Sequence, residues 1–341
     1  MVEVAIVGGG VAGAAAAWSL AGRGREVLLL EWHAIGHRHG SSHGDARVWR
    51  HSYDAVGWVR MMAEALPLWR RLEEEREEAL LTTLGSIDVD PPTANVAALD
   101  TTGLPYELVA AEEAMRRHPS LALPPGAEVL LQPDAGYIAA ERAWHGFAES
   151  ASAKGGELRE GARVERIEVT GDGARVVVGD ETIEARTVVV AAGAWSRELL
   201  APLGIDLPVH VTREVPVFFS LDGPMPPIVV EWRSPLIYAL PSPDFGLKAA
   251  EHHAGPEVAP DDRGEPGDAA VDAVARWVAE RFPEAHPTPH HAETCLYTST
   301  DDERFILERR GPVVVGSACS GHGFKFAPWV GERLADLVEG G

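Results

Sequence analysis

The stretch VEVAIVGGGVAGAAAAWSLAGRGREVLLLE, residues 2 to 31, decides the fold. VEVAIV reads as a strand and Gly8-x-Gly10-x-x-Gly13 as a tight turn. AAAAWSLAGRG reads as a helix ending near Gly22 and Gly24, and EVLLLE as a second strand closing on Glu31. The glycines permit the turn and let a pyrophosphate approach the helix N-terminus, whose amides and dipole favour an anion. Gly8, Gly10, Val11, Ala12 and Gly13 are therefore candidate phosphate contacts, and Glu31, eighteen residues after Gly13, is placed for ribose hydroxyls. No arginine follows Glu31 at once, so a 2′-phosphate is not invited. The motif alone does not separate NAD from FAD.

Working outward, Arg186 to Ser196, RTVVVAAGAWS, reads as a buried strand entering a small-residue turn at Gly193. Before it come a helix, AERAWHGFAESASAKGG, and short strands in ARVERIEV, which contains Val164, and ARVVVGD. A chain that returns to the nucleotide domain in this way is typical of two-domain FAD proteins, a step made by fold analogy. HVTREVPVFF, PPIVVEWRSPLIYALPS and FGLKAAEHH read as strands of a separate module, and DAAVDAVARWVAERF as an amphipathic helix with Val271, Val274, Trp277, Val278 and Phe282 inward. The expected fold is an α/β Rossmann-like FAD-binding domain of the glutathione-reductase type. It is joined to an α+β substrate domain on a mixed, largely antiparallel sheet. The expected boundaries are 1–80, 145–205 and 311–341 for the FAD domain and 81–144 and 206–310 for the substrate domain.

Composition excludes several classes. The chain has 341 residues, 45% apolar and 24% charged, enough for two packed domains. A net charge of -22 opposes nucleic-acid binding. Val4 to Gly22 is uncharged, yet its glycines interrupt any membrane span, and no basic segment precedes it as in a signal peptide. Two cysteines, Cys295 and Cys319, give no disulfide framework and suggest a reducing cytoplasm. EEEREE, from Glu73, reads as a solvated helical face. Among 30 basic residues only Lys154, Lys248 and Lys325 are lysines, and the last two sit in the Gly-rich contexts FGLKAA and SGHGFKF. A compact ammonium whose pKa shifts on desolvation makes those two candidates for chemistry.

SSHGDARVWRHSY, GLKAAEHH, ETCLYTSTDDERFIL and SGHGFKFAPWVGE resemble, in order and spacing, the monomeric sarcosine oxidase and N-methyltryptophan oxidase family of FAD-dependent amine oxidases. The resemblance spans nearly the whole chain. It implies FAD held covalently by Cys295 through the flavin 8-methyl carbon, with Tyr297 completing the C-x-Y pattern and Cys319 packed near the ring. It places Gly321, Gly323, Phe324 and Lys325 at a helix start beside the flavin N1 and C2 oxygen, and Ser41, His43 and Arg47 along the flavin. Arg50 and Lys325 then take a substrate carboxylate, and Lys248 assists reaction with oxygen. His252 is an active-site histidine, and Tyr238 and Tyr297 wall the amine pocket.

The implied reaction is oxidation of a secondary amine, as in sarcosine or a larger N-methyl amino acid. The imine then hydrolyses to aldehyde and amine, and O2 becomes H2O2. The alternatives are a cyclic imino acid or glycated amino acid as substrate, a dehydrogenase that passes electrons to a carrier, or a relative that binds flavin without catalysis. Ala46 replaces a family threonine, and Val229 is expected to replace a larger pocket residue, leaving room for a larger amine. The tail after the SGHGFKF helix is short for the family. The expected protein is a cytoplasmic monomer acting on a small amine and O2, without a metal, nucleic acid or membrane. His33, His37 and His39 are expected to be solvated loop residues, as is HPTPHHAE, from His286 to Glu293.

Overall fold

Residues 1–340 are described by a computed structural model of the chain. The last residue of the expected 311–341 segment lies outside them. Val2–Val7, Val11–Gly22 and Val27–Leu30 form the expected strand, helix and strand, and the two strands pair in parallel. Their sheet has eight strands. Its parallel centre runs Glu157–Arg159, Val27–Leu30, Val2–Val7, the end of Glu181–Val190, and Val313–Ser317. Antiparallel ribbons extend it, one of them Ile306–Arg310 against Val313–Ser317. The nucleotide sheet is therefore re-entered by residue 306, before the expected boundary at 311, because a hairpin keeps its two strands in one sheet.

The second large sheet also has eight strands, with one parallel contact, Ile228–Glu231 beside Ser86–Val89, among antiparallel pairs. Helix Asp268–Arg281 covers one face, burying Val274, Trp277 and Val278 against Ile87, Val229, Ile237 and Ala249. A smaller sheet of Ala46–Trp49, Leu81–Thr83 and Gly136–Ala139 lies between the two modules in the chain path, and helix Ala140–Ala153 leaves it to pack on Val11–Gly22. No helix of the described residues is long and apolar enough to cross a membrane.

The acidic run is not a free surface. Glu73 Oε1 accepts from the Leu80 and Leu81 amides at 2.7 and 2.8 Å, closing the end of helix Val56–Arg76, and Glu75 accepts from Trp18 Nε1 and Lys154. Orphaned backbone donors just past a helix favour such an acceptor.

Two helices hold the nucleotide layer together, Val11–Gly22 and Ala327–Glu339. Their axes approach closely because small residues meet there. A Cβ on Gly331 would stand 2.5 Å from the Ala15 carbonyl oxygen. Gly331→Ala should therefore destabilise the protein by about 1–3 kcal/mol through overpacking, read as a lower midpoint in thermal unfolding. An unchanged midpoint would contradict this packing account.

Candidate active site

The first turn is built for close approach. Gly8 has φ +99°, and a Cβ there would lie 2.6 Å from the Ala191 carbonyl oxygen. At Gly13 a Cβ would lie 1.9 Å from the Gly8 carbonyl oxygen. The loop is pinned by Trp144 Nε1, which donates to the Gly9 carbonyl at 2.6 Å. Glu31 is buried at the end of its strand and accepts from the Gly9 and His33 amides at 2.7 and 2.8 Å. Burial alone would raise its carboxyl, but the His37 ring and the two amides hold it below the usual carboxylate range. His37 Nε2 stands 3.3 Å from Glu31, and His33 and His39 stack at 3.8 Å between centroids, with Trp32 against His33 at 4.8 Å. These three histidines are thus half-buried members of an aromatic cluster, correcting the expectation of solvated residues. In HPTPHHAE, His286 and His290 are exposed as expected, and His291 is half-buried against Phe245.

Gly8, Gly10, Val11, Ala12, Glu31, Val164 and Gly193 all line one cavity of about 930 Å³. The same cavity is lined by Ser41, Arg47, Arg50, Tyr238, Lys248, His252, Cys295, Tyr297, Gly321, Gly323, Phe324 and Lys325. Gly13 and His43 do not line it. Gly13 acts through the turn, and His43 is buried behind, its ring nitrogens unpartnered and its pKa pushed down to about 2 by burial and by Arg47 and Lys248. Ser42, which the sequence reading passed over in favour of Ser41, accepts from the Val11 amide at 2.9 Å. Ser41 instead donates to the Leu296 carbonyl at 2.5 Å, joining the loop to the Cys295 strand.

Strand alternation explains the rest. Successive side chains of a strand face opposite sides, so Lys248, Ala250 and His252 share the cavity face with Tyr238 and Leu240 on the neighbouring strand and Val230 and Trp232 on the next. Val229 points the other way, into the helix-covered core, so the expectation that it shapes the pocket is corrected in favour of Val230 and Trp232. Cys295 and Tyr297 alternate on the strand Cys295–Ser299, and Ala46, Val48 and Arg50 follow the same rule.

Electrostatics divide the cavity in two. Lys248 is 4% exposed, with Nζ 3.5 Å from the Ala46 carbonyl, and burial followed by Arg47 lowers its pKa to about 8. Arg47 donates to the Ser41 and His43 carbonyls at 2.9 and 2.5 Å and lies 5.5 Å above the Phe324 ring. Burial drives Lys325 well below its usual value, with Arg50 adding to the effect and Asp88 opposing it. Lys325 Nζ lies 5.3 Å from the Tyr53 ring centre. His252 is neutral, driven down by burial and then by His253, and its Nδ1 is 3.4 Å from the Tyr297 hydroxyl. Gly321 has φ +69°, and its missing side chain matters, since a Cβ would come within 2.4 Å of Tyr297 and 2.6 Å of His252. His253 pairs with Glu303 at 3.6 Å, and His252, His253 and Glu303 bring three donor atoms within 4.8 Å of one another, a grouping not legible from spacing.

A family profile described as "DAO: FAD dependent oxidoreductase" matches residues 3–337. The chain belongs to that family. It is a flavin amine oxidase, 32% identical to the peroxisomal sarcosine oxidase of Homo sapiens over 98% of this chain and 91% of that protein. It is 30% identical to the monomeric sarcosine oxidase of Bacillus sp. (strain B-0618), over 98% of this chain and 92% of that protein. Among solved structures, the open form of NikD, an unusual amino acid oxidase essential for nikkomycin biosynthesis, superposes with a TM-score of 0.90 at 29% identity, covering 98% of this chain and 93% of that one. FAD suits the residues present. Gly8 and Gly13 have no room for a Cβ against the backbone of the turn, Gly8 and Gly10 line the cavity, Glu31 closes the second strand where a ribose would lie, and the cavity continues from the turn to Cys295 and Lys325.

Ser42 is the test of that reading in this flavin protein. Its hydroxyl holds the Val11 amide at the start of the phosphate-facing helix, and Ser42→Ala removes that acceptor. In a Cys295→Ala background, where no thioether can hold the flavin, FAD affinity should fall about tenfold as the Val11 amide loses the hydrogen bond that positions it, measured by fluorescence of released flavin on dilution. Unaltered retention would remove Ser42 from the cofactor site.

Proposed function

We propose that the protein oxidises the secondary amine of an amino acid, either an N-methyl amino acid or a cyclic imino acid, with O2 as acceptor. It would act as a cytoplasmic monomer. The observation that carries the proposal is the division of one cavity between a carboxylate end, Arg50 and Lys325, and a separate buried cation, Lys248, with aromatic walls between them. The curated relatives named above support the amine class. When bound, FAD supplies the acceptor for two electrons from the C–H bond beside the amine nitrogen.

The chain's own residues position the reactants. Arg50 and Lys325 take the carboxylate and so fix the amine relative to the opposite end of the cavity. Tyr238, Tyr297 and Trp232 exclude water from the space between. His252, held well below its usual pKa and beside the Tyr297 hydroxyl, is a poor base but has a ring nitrogen able to accept a hydrogen bond from the amine. Lys248 places a positive charge where negative charge develops on oxygen, in surroundings too apolar to supply it otherwise. Cys295 would hold the flavin through a thioether. Its thiol lines the cavity and is raised by burial to about 11, with Arg47 and Lys248 pulling the other way.

Peroxide release in air, across sarcosine, larger N-methyl amino acids, proline, pipecolate and fructosyl amino acids, tests the reaction. Release with one group establishes the oxidase and its substrate class. Silence across all of them, with the flavin left oxidised, overturns the proposal.

For Lys248, the variant Lys248→Met should slow reoxidation by O2 about 100-fold, the worth of one well-placed charge, while reduction by substrate stays within a few-fold of wild type. Stopped-flow absorbance separates the two steps. Because the ammonium loses its proton as pH rises through about 8, the wild-type oxygen step should slow above that pH and the variant's should not. A carrier-linked dehydrogenase would show equal, sluggish reoxidation in both proteins.

Covalency has its own test. Acid-precipitated wild type should keep its yellow colour and Cys295→Ala should release it. Free colour from the wild type would leave FAD bound without the thioether.

A further inference from the structure

We propose that Asp88 sets the charge of the carboxylate end, so that the pocket takes amines carrying one carboxylate and discriminates against those carrying two. This rests on the reading that Arg50 and Lys325 bind a carboxylate, and it narrows the substrate class within that reading.

Asp88 lies on strand Ser86–Val89 inside the mixed sheet and is 0% exposed. Its Oδ2 accepts from Arg50 Nη1 at 2.9 Å and from Trp232 Nε1 at 3.1 Å, while its shielded Oδ1 has no partner among the described residues. Arg50 and Trp232 line the cavity and Asp88 does not, so the carboxylate stands behind both. A buried ion pair of this kind is poor value as a source of stability, because desolvation offsets its attraction. Its effect is positional. The hydrogen bonds of Arg50, to Asp88 and to the Ser52 carbonyl at 2.6 Å, both use Nη1, which leaves the other donors of the planar fork for a ligand. Tyr53 and Trp232 hold the guanidinium from their faces at 5.6 and 5.3 Å.

Charge counting then gives the selectivity. Two cations, Arg50 and Lys325, face one anion, Asp88, so the buried end carries at most one net positive charge. One ligand carboxylate balances it. A second finds no cation left to balance it, in a medium that screens weakly. The rim offers no relief, since Asp54 and Glu303 are exposed acids and Arg233 is already paired with Glu251 at 3.1 Å. Asp88 is thus a positioning residue that also fixes how many carboxylates the pocket admits.

The test titrates the holoenzyme with propionate and with malonate, similar in size and different by one carboxylate, following the flavin visible spectrum and the heat of binding. Wild type should bind propionate more tightly. Asp88→Asn keeps an acceptor for Arg50 but removes the negative charge, and should move the malonate-to-propionate affinity ratio about tenfold toward malonate. Asp88→Glu should leave that ratio near wild type. A ratio unchanged in Asp88→Asn while both anions still bind overturns the proposal, as does equal loss of both anions from the two variants, which is the mark of a structural role alone. Wild-type protein that binds malonate as tightly as propionate overturns it without any variant. Wild type that binds neither anion instead removes the carboxylate reading on which it rests.

Discussion

The contact between Gly8 and the backbone of Ala191 is the constraint on which the rest of the molecule depends. Gly8 adopts φ +99°, and the space its side chain would fill belongs to the chain returning from strand Glu181–Val190. That strand begins at Glu181, about 160 residues after the first helix ends at Gly22, yet it pairs in parallel beside Val2–Val7 with Val7 opposite Val190. The chain between the two strands, which also gives Val27–Leu30 and Glu157–Arg159 to the same sheet, therefore has both ends fixed at the nucleotide turn. The helical layer behind the turn is equally tight, as the approach of Gly331 to Ala15 shows.

From those fixed ends, strand alternation carries the chemistry across to the second module. Arg50 and His252 directly follow strand ends and Lys248 lies within a strand, and each has a neighbour two residues away that also faces the cavity, so a pleat rather than a loop sets their spacing. Lys325 arrives by a different route, in the turn Gly323–Phe326 before helix Ala327–Glu339, with its carbonyl held by Trp69 Nε1 at 2.8 Å. The cavity thus has one wall from the substrate sheet and one from the nucleotide domain, and neither wall alone brings the buried cations together.

This division also explains what was legible in the sequence. The glycine turn and its flanking strands are local, and they were read to within a few residues. Where distant strands must pair, local pattern is silent, and Arg50, Lys248, His252 and Cys295 receive their roles only through the resemblance. Ser41 and Ser42 are adjacent and chemically identical, and only the entry angle of the loop decides that Ser42 meets the Val11 amide while Ser41 turns to the Leu296 carbonyl. Val229 and Val230 differ by the half-period of a strand, so the expected pocket residue lies one position off. Asp88 left a signal that went unread, a charge within the otherwise apolar strand SIDV, where a buried carboxylate demands a partner. The lysine scarcity, by contrast, singles out Lys248 and Lys325 as candidates for chemistry, and both are buried.

The net charge of -22 and the cations of the cavity are parts of one electrostatic problem. Burial holds Lys325 well below its usual pKa, so the pocket without a ligand is reluctant to carry Arg50 and Lys325 charged together. A carboxylate that enters beside them favours the ammonium, and by linkage its binding is accompanied by proton uptake wherever the pH lies above the ligand-free pKa of Lys325. The anion then arrives with its own neutralising proton. On the proposed reading, a strongly acidic protein would in this way hold an anionic substrate without a permanent basic patch that its own acidic surface would neutralise, and Asp88 would limit how far that accommodation extends.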